Sequence, residues 1–303
     1  MISRRNFLFG SGLAALGASY TAVKNQASDL PLISEITLPI GNLTPDFSNF
    51  RIAFIADIHL GHYLSQDHLR TIVSMVNEQK PDLILMGGDY IWREKSALAQ
   101  CFSQMQPDEY PGFSGEALSM EVIKSCAKIL TTLSAPHGVF GVLGNHDQWE
   151  IGPDTVSIFA EQKILLLKND EHLLRRGSST IRITGVDDYW TGFPSVPKSW
   201  HQAKTPNEIR IILSHNPDFI SYEVEPRGIK FDLALCGHTH AGQIRLPFIG
   251  PIIFNVNDRR FMEGLVKSEI SQGTVFTTRG IGMVELPVRI NCPAEIAIIT
   301  LAI

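Results

Sequence analysis

Five short apolar segments of this chain each end at an aspartate, an asparagine or a histidine, and this feature most restricts the possible folds. With the residues that follow them, the segments are RIAFIA-DIH from 51, DLILM-GGD from 82, GVFGVLG-NHD from 138, EIRIIL-SHN from 208 and FDLALC-GHTH from 231. Apolar runs of this length are typical of buried strands. Because ligands in open α/β sheets bind beyond the carboxyl ends of the strands, we expect these five loops to converge on one site.

Helical periodicity separates the first three of these segments. Apolar residues recur at i, i+3, i+4 and i+7 from Leu69 to Val76, and a second helical face runs from Leu118 to Leu133. The second half is richer in strands, with a helix expected after Asn216-Pro217-Asp218 and with apolar or alternating runs at 164–167, 180–186, 208–213, 231–236, 274–278 and 294–303. Alternation of strands and helices predicts a layered α/β domain from about residue 48 to 303.

The donor atoms expected at the converging loops form a mixed set. Two carboxylates, one amide oxygen and four imidazoles contribute: Asp57, Asp89, Asn145, His59, His215, His238 and His240. Calcium prefers oxygen ligands alone, whereas such a mixed set suits zinc, iron or manganese. If one carboxylate bridges, the set fills two metal sites, and two metals about 3.5–4 Å apart are used to displace phosphate esters. Taken singly, each motif also has a simpler explanation, such as a helix-capping Asp or a polar turn.

In this order, the motifs D-x-H, G-G-D, G-N-H-D, a later H and G-H-T-H resemble the calcineurin-like metallophosphoesterase superfamily from residue 51 onward. SRRNFL, CGHTHAGQIRLPFIGP and TTRGIG resemble more closely its twin-arginine-exported bacterial phosphodiesterases, the YaeI and YkuE type. The resemblance implies a four-layer αββα sandwich, in which two mixed β-sheets are flanked by helices.

The resemblance also implies roles for individual residues. It assigns Asp57, His59 and His240 to one metal, Asn145, His215 and His238 to the other, and Asp89 to a bridging position. His146 would lie over the phosphate, where it stabilises charge or protonates the leaving oxygen, and Asp147 would orient His146.

The function implied is a phosphohydrolase dependent on two divalent metal ions (Mn, Fe or Zn), with a metal-bound hydroxide as nucleophile. A phosphodiesterase acting on a lipid or polymer phosphoester of the cell envelope is favoured. A phosphomonoesterase and a non-catalytic metal-binding envelope protein stay open as alternatives. A mononuclear zinc peptidase is disfavoured because the chain lacks HExxH.

The N-terminal sequence MISRRNFLFGSGLAALG indicates export. Paired arginines before a short, Gly-rich apolar stretch resemble a twin-arginine signal, and the stretch is shorter than the about 20 apolar residues of a membrane span. Since no clear cleavage site follows, residues 1–27 are expected to be a signal or a retained membrane anchor, with a linker over 28–47. The expected location is the periplasm or the outer face of the bacterial cytoplasmic membrane, with the twin-arginine export machinery as a partner.

Two further expectations concern substrate and partners. Aromatic residues near the motif loops either form an apolar wall of the site or pack the loops against the core: Tyr90, Trp92, Trp149, Tyr189 and Trp190. The long connection 91–117 is also expected to be functional. A net charge of -5 offers no basic surface, so no nucleic-acid partner is expected.

Overall fold

The computed structural model describes residues 30–41, 43–93 and 115–303. The expected signal or anchor (1–27) and most of the loop 91–117 lie outside the described residues. In the described part, no helix combines the length and the apolar character that crossing a bilayer requires.

The first sheet contains six strands and carries three of the five predicted motif segments. In spatial order they are β1 (Leu32–Pro39), β14 (Glu295–Ala302), β2 (Arg51–Ile55), β3 (Leu83–Met86), β4 (Val139–Gly141) and β5 (Leu165–Leu166). Neighbours are parallel except for β14 and β2. The carboxyl ends of β2, β3 and β4 therefore lie at one edge of the sheet.

The second sheet also contains six strands and carries the other two motif segments. In spatial order they are β12 (Gly264–Lys267), β13 (Thr274–Thr277), β9 (Leu233–Cys236), β8 (Glu208–Ser214), β7 (Ser179–Gly185) and β6 (Asp170–Arg176). The inner strands are parallel and the two edge strands antiparallel. A small separate hairpin consists of β10 (Arg245–Leu246) and β11 (Gly250–Pro251).

Three apolar layers hold the sheets and helices together. Between the two sheets lie residues such as Phe54, Leu85, Ile211, Leu235 and Phe276. The helices α1 (Gln66–Glu78), α2 (Gly115–Leu130) and α4 (Asp154–Glu161) cover the other face of the first sheet, and a short helix α3 (Asn145–Glu150) precedes α4. The second sheet is covered by the segment around Phe219 and Val224. The expected four-layer sandwich of two mixed sheets is confirmed.

The helix α1 shows how local sequence sets these layers. Its first turn is capped by Ser65, whose Oγ accepts the His68 N–H at 3.1 Å. The apolar positions predicted from periodicity are the ones buried: Leu69, Ile72, Val73 and Val76. By contrast, the helix expected after residue 218 is a short π-helical turn (Ile220–Val224) that runs into a 3₁₀ turn (Glu225–Arg227).

The prediction of a linker over 28–47 is wrong in its central part. Leu32–Pro39 pairs with β14 in parallel register, from Leu32 opposite Glu295 to Pro39 opposite Ala302. Only Leu38 of this edge strand is buried, so its sequence lacks the apolar pattern that identified the inner strands. Its partner lies more than 250 residues away in the chain, and no local signal announces the pairing.

Candidate metal centre

The five predicted loops meet where the carboxyl edges of the two sheets adjoin. The first sheet supplies Asp57 and His59 after β2, Asp89 after β3 and Asn145 after β4. The second sheet supplies the histidines: His215 after β8, and His238 and His240 after β9. All seven side chains predicted as ligands are buried, with at most 4% of any residue exposed.

One group of ligand atoms comes from both sheets. Asp57, His59 and His240 place their ligand atoms within 4.8 Å of one another. The two imidazole Nε2 atoms are 3.0 Å apart, and Nε2 of His240 is 3.6 Å from Oδ1 of Asp57. The backbone N–H of His238 donates to both Asp57 oxygens at 2.9 and 3.1 Å, which fixes this carboxylate.

A second group lies beside the first. Asp89, His215 and His238 again place their ligand atoms within 4.8 Å of one another. Nε2 of His215 is 3.2 Å from Nδ1 of His238 and 3.1 Å from Oδ1 of Asn145. The other ring nitrogen of His215 lies 2.7 Å from the Gly87 carbonyl oxygen, which orients the imidazole.

Asp89 lies between the two groups. Its Oδ2 is 3.5 Å from Nε2 of His59 and 3.3 Å from Nε2 of His215. A carboxylate in this position can reach a cation in either group. The two histidines of GHTH belong to different groups, His238 to the second and His240 to the first.

Left-handed backbone at the strand ends makes this convergence possible. Five of the seven predicted ligands have positive φ: Asp57 (54°), His59 (49°), Asp89 (55°), His238 (71°) and His240 (49°). Such values are uncommon for residues other than glycine and cluster at functional sites. Neighbouring glycines give the carboxylates room, because a Cβ on Gly144 would lie 2.1 Å from Oδ1 of Asp89 and one on Gly237 would lie 2.6 Å from Oδ2 of Asp57.

The electrostatics of the cluster suit cations. Burial lowers the pKa of His59 and that of His238 to about 3, so both imidazoles are neutral and keep a lone pair for a metal. Burial also raises the pKa of Asp57 to about 7, and the negative charge of Asp89 adds to this effect. At Asp89, burial is outweighed by the positive charges of His215 and His146, which hold the pKa well below its usual range. Inward-facing oxygens and nitrogens of this kind fit two divalent ions.

A family model described as calcineurin-like phosphoesterase matches residues 50–242. The chain belongs to this family. It is 30% identical over 256 residues to the phosphodiesterase YaeI of Escherichia coli, covering 83% of this chain and 82% of YaeI. It is 28% identical over 308 residues to the metallophosphoesterase YkuE of Bacillus subtilis, covering 99% and 98%. The structure of the NAD nucleotidase of Haemophilus influenzae aligns with a TM-score of 0.45 and 14% identity, over 76% of this chain and 45% of that one.

Calcineurin-like phosphoesterases use two divalent metal ions, and the two His/Asp groups supply a place for each. The expected cofactor is thereby confirmed, whereas the donor set alone does not choose among Mn, Fe and Zn.

The carboxylate of Asp147 accepts hydrogen bonds from the backbone of two motif loops. Its Oδ2 accepts the backbone N–H groups of Asp89 (2.9 Å) and Gly144 (2.8 Å), and its Oδ1 accepts that of Tyr90 (2.8 Å). The carboxylate is thus committed to three backbone donors and ties the Asp89 loop to the start of α3. That Asp147 also orients the imidazole of His146 stays a prediction.

His146 lies at the wall of the metal cavity. Its ring is 5.0 Å from that of His59 and 5.1 Å from that of Trp149, edge to face in both cases. Its backbone N–H donates to Oδ1 of Asp89 at 2.9 Å, so the start of α3 and the shared carboxylate are held together. The imidazole therefore faces the space in which a substrate of the metals would lie.

The aromatic residues predicted near the site divide into two sets. Trp92, Trp149 and Trp190 line the metal cavity, which has a volume of about 260 Å³, and Trp190 lies 4.3 Å from the ring of His238. Tyr90 is instead a core residue, whose Oη donates to the carbonyl of Val142 at 3.0 Å. Tyr189 stacks with Tyr222 at 6.5 Å. An apolar wall is therefore present, and it consists of these three tryptophans and Val284.

Sequence reasoning missed several residues at the cavity. Arg93, Asn255 and Glu285 line it. A fourth, Arg289, is buried behind the site with its Nη2 3.4 Å from Nδ1 of His240, and its guanidinium donates to the carbonyl of Cys292 at 3.2 Å. Except for Arg93, which follows the GGDY loop, they lie outside the motif loops, and their positions depend on tertiary contacts.

Proposed function

We propose that this chain is a phosphodiesterase dependent on two divalent metals, which hydrolyses a lipid or polymer phosphoester of the cell envelope. The observation that carries the proposal is the sharing of Asp89 between two buried His/Asp groups at the floor of one cavity. This is the arrangement that metal-assisted displacement at phosphorus requires.

In this proposal each metal has its own ligands and both share Asp89. Asp57, His59 and His240 would hold one ion, whereas Asn145, His215 and His238 would hold the other. When bound, the two ions neutralise the charge of the phosphoryl group and lower the pKa of water.

His146 supplies the proton in the proposed reaction. It faces the cavity at 5.0 Å from the His59 ring, and it donates a proton to the oxygen that leaves phosphorus. Asp147 acts at a distance from the reacting atoms, because its three backbone hydrogen bonds keep the Asp89 loop and α3 in register.

A diester suits the cavity better than a monoester. A diester carries one negative charge and two organic groups, and the three tryptophans provide apolar surface for a second organic group. A monoester carries more charge, and Arg93 is the one Lys or Arg side chain among the described residues that line the cavity. The relative YaeI is named a phosphodiesterase, which agrees with this preference. A phosphomonoesterase at the same site is the second candidate.

The assay compares bis-p-nitrophenyl phosphate with p-nitrophenyl phosphate, after chelation and re-addition of Mn, Zn or Fe. We expect metal-restored hydrolysis of the diester, and a loss of roughly 10³-fold or more in Asp89→Asn, since an amide supports two cations poorly. Asp67→Asn is the matched control, because that carboxylate is 97% exposed on α1. Preference for the monoester would favour the second candidate, and two bound ions without hydrolysis of either ester would indicate a binding protein.

The proposed location is the periplasm or the outer face of the cytoplasmic membrane, reached by twin-arginine export. Support comes from the sequence SRRNFL at residues 3–8. Replacing Arg4 and Arg5 by lysine should leave the protein in the cytoplasm, as measured by cell fractionation. Unchanged export of that variant would contradict the proposed route.

A further inference from the structure

We propose that residues 245–255, which we call the apolar hairpin, insert into the surface of a phospholipid bilayer beside the metal cavity. The segment contains β10, β11 and the stretch that follows them. Within it, six large apolar side chains are exposed: Leu246, Phe248, Ile249, Ile252, Ile253 and Phe254. Phe248 is fully exposed and Ile249 is 72% exposed, so the apolar side chains at the tip of the hairpin face solvent. Contiguous apolar surface of this kind marks a site of interaction.

The charge pattern of the apolar hairpin favours a membrane surface. No charged residue occurs from 246 to 255, whereas Arg245 precedes this stretch and Arg259 and Arg260 follow it. The guanidinium of Arg259 lies 3.9 Å above the ring of Phe254. Arg245 and Arg260 are paired with Glu263 and with Asp258 and Glu225, which leaves Arg259 as the cation offered to lipid phosphate at the base of an uncharged apolar tip.

The shape of the hairpin also favours lipid over a second copy of the chain. The strands β10 and β11 pair with each other through only two residue pairs, Arg245 with Pro251 and Leu246 with Gly250. A stable protein interface buries about 800 Å² and 20–30 residues on each partner. A narrow turn of about ten residues is smaller than that, but membrane binding needs only a few buried apolar side chains.

The hairpin is continuous with the metal centre. Gly242, two residues after His240, packs against the base of the hairpin. A Cβ added to Gly242 would lie 2.5 Å from Pro251 and 2.9 Å from the carbonyl oxygen of Ile253. Asn255, at its end, lines the cavity with Trp190. Trp149 and Trp190 are 49% and 46% exposed at the same cavity, and tryptophans favour the headgroup layer.

Insertion of the hairpin therefore places the cavity mouth at the headgroups. The idea that a lipid phosphoester is the substrate rests on the proposed function. Binding of the chain to vesicles does not depend on that function.

The first test measures binding of the full chain to vesicles of phosphatidylcholine with phosphatidylglycerol. We expect Phe248→Ser/Ile249→Ser to weaken partition into vesicles by about tenfold or more, with hydrolysis of the soluble aryl diester unchanged. Ile270→Ser is the matched control. Ile270 is 52% exposed and precedes the start of β13, at the end of the sheet opposite to the metal loops. Unchanged diester hydrolysis also separates failure of this inference from failure of the proposed function.

Since residues 1–27 are themselves a proposed signal or anchor, a second measurement reports on the hairpin alone. Phe248→Trp should add a fluorescence component that brominated lipids quench, relative to the wild-type chain, and Ile270→Trp should not. Absence of extra quenching at position 248 would overturn the inference. A second result would also overturn the inference. If sedimentation shows that the wild-type chain is a dimer and the double serine variant a monomer, and vesicle binding is unchanged, the hairpin is an interface between copies.

Discussion

The floor and the rim of the metal cavity are built in different ways. At the floor, the seven predicted ligands are at most 4% exposed, and most are fixed by hydrogen bonds or by neighbouring ligands. At the rim, Trp149 and Trp190 are about half exposed, and the apolar hairpin projects beside them. The buried polar groups of the floor contact one another, so a change at the floor disturbs several contacts at once. A change at the rim removes one contact, which is why the rim can set the substrate while the floor sets the reaction.

Apart from the loss of activity expected for Asp89→Asn, the largest effect is expected at His146, which contacts both the floor and the rim. His146→Ala should lower kcat about 10²- to 10⁴-fold while both metals stay bound, because the proposed role of the imidazole is to donate a proton and not to coordinate metal. Metal content by elemental analysis and kcat on the aryl diester are the two measurements. His137→Ala is the control, since that ring packs against Phe50 away from the cavity. Loss of metal in proportion to activity would place His146 among the metal ligands. The distinction between ligands at the floor and substrate-facing residues at the rim would then fail at His146.

The next largest effect is expected at Asp147, which supports the backbone of the floor. Asp147→Asn should lower the free energy of unfolding by about 2–4 kcal/mol and weaken metal binding, because an amide offers one acceptor oxygen to three backbone donors. Thermal or urea unfolding and metal titration measure it. Asp154→Asn, at an exposed position of α4, should change neither. A variant with normal stability and metal binding but altered pH dependence of kcat would instead return Asp147 to a role beside His146.

A smaller effect is expected at the rim. Trp190→Ala should raise KM for the aryl diester about 2- to 10-fold and leave kcat nearly unchanged, since an aromatic contact holds the substrate equally before and during reaction. Phe193→Ala is the control, because this ring is 89% exposed and does not line the cavity. A fall in kcat with KM unchanged would show that Trp190 positions its neighbour His238 and belongs with the floor.

The smallest expected effect is the pH dependence of the stability of the metal-free chain. Burial raises the pKa of Asp57 to about 7 and that of Asp147 to about 8, and at His215 the attraction of Asp89 outweighs burial and raises the pKa to about 10. Between pH 8 and 6.5 the folded chain therefore binds more protons at these groups than the unfolded chain, so its stability should rise as pH falls. Further acidification to pH 3 should reverse the trend, because burial holds three imidazoles neutral in the fold (His59, His238 and His240) and the pKa of Asp89 lies below its usual range, and these four groups outnumber Asp57 and Asp147.

Melting temperatures with and without metal measure this effect. Protons compete with metal for the same ligands, so the stabilisation by metal should shrink as pH falls. A melting temperature of the metal-free chain that does not change between pH 8 and 6.5 would show that these groups are solvated in solution.

Much of the fold and of the floor could be read from the sequence because both are encoded locally. An apolar run followed by a donor at the strand end identified β2, β3, β4, β8 and β9, and with them all seven predicted ligands. Their number and chemistry implied two cations before any contact was known. The resemblance to the family then divided them into the two groups that the structure brings together.

Only the tertiary structure decided two kinds of feature. One is contact between residues far apart in the chain, and the other is backbone conformation that no sequence pattern predicts. The edge strand β1 depends on β14 for its pairing, and Asp147 serves the backbone of a loop about 58 residues away. The left-handed conformation of His238 and His240, which turns them toward different groups, exists because surrounding contacts hold it against its local cost. The sequence by itself determined which chemical groups the site holds, since each follows its own strand. Where those groups point, and which apolar residues remain exposed around them, followed from packing between distant segments, because local periodicity carries no information about such contacts.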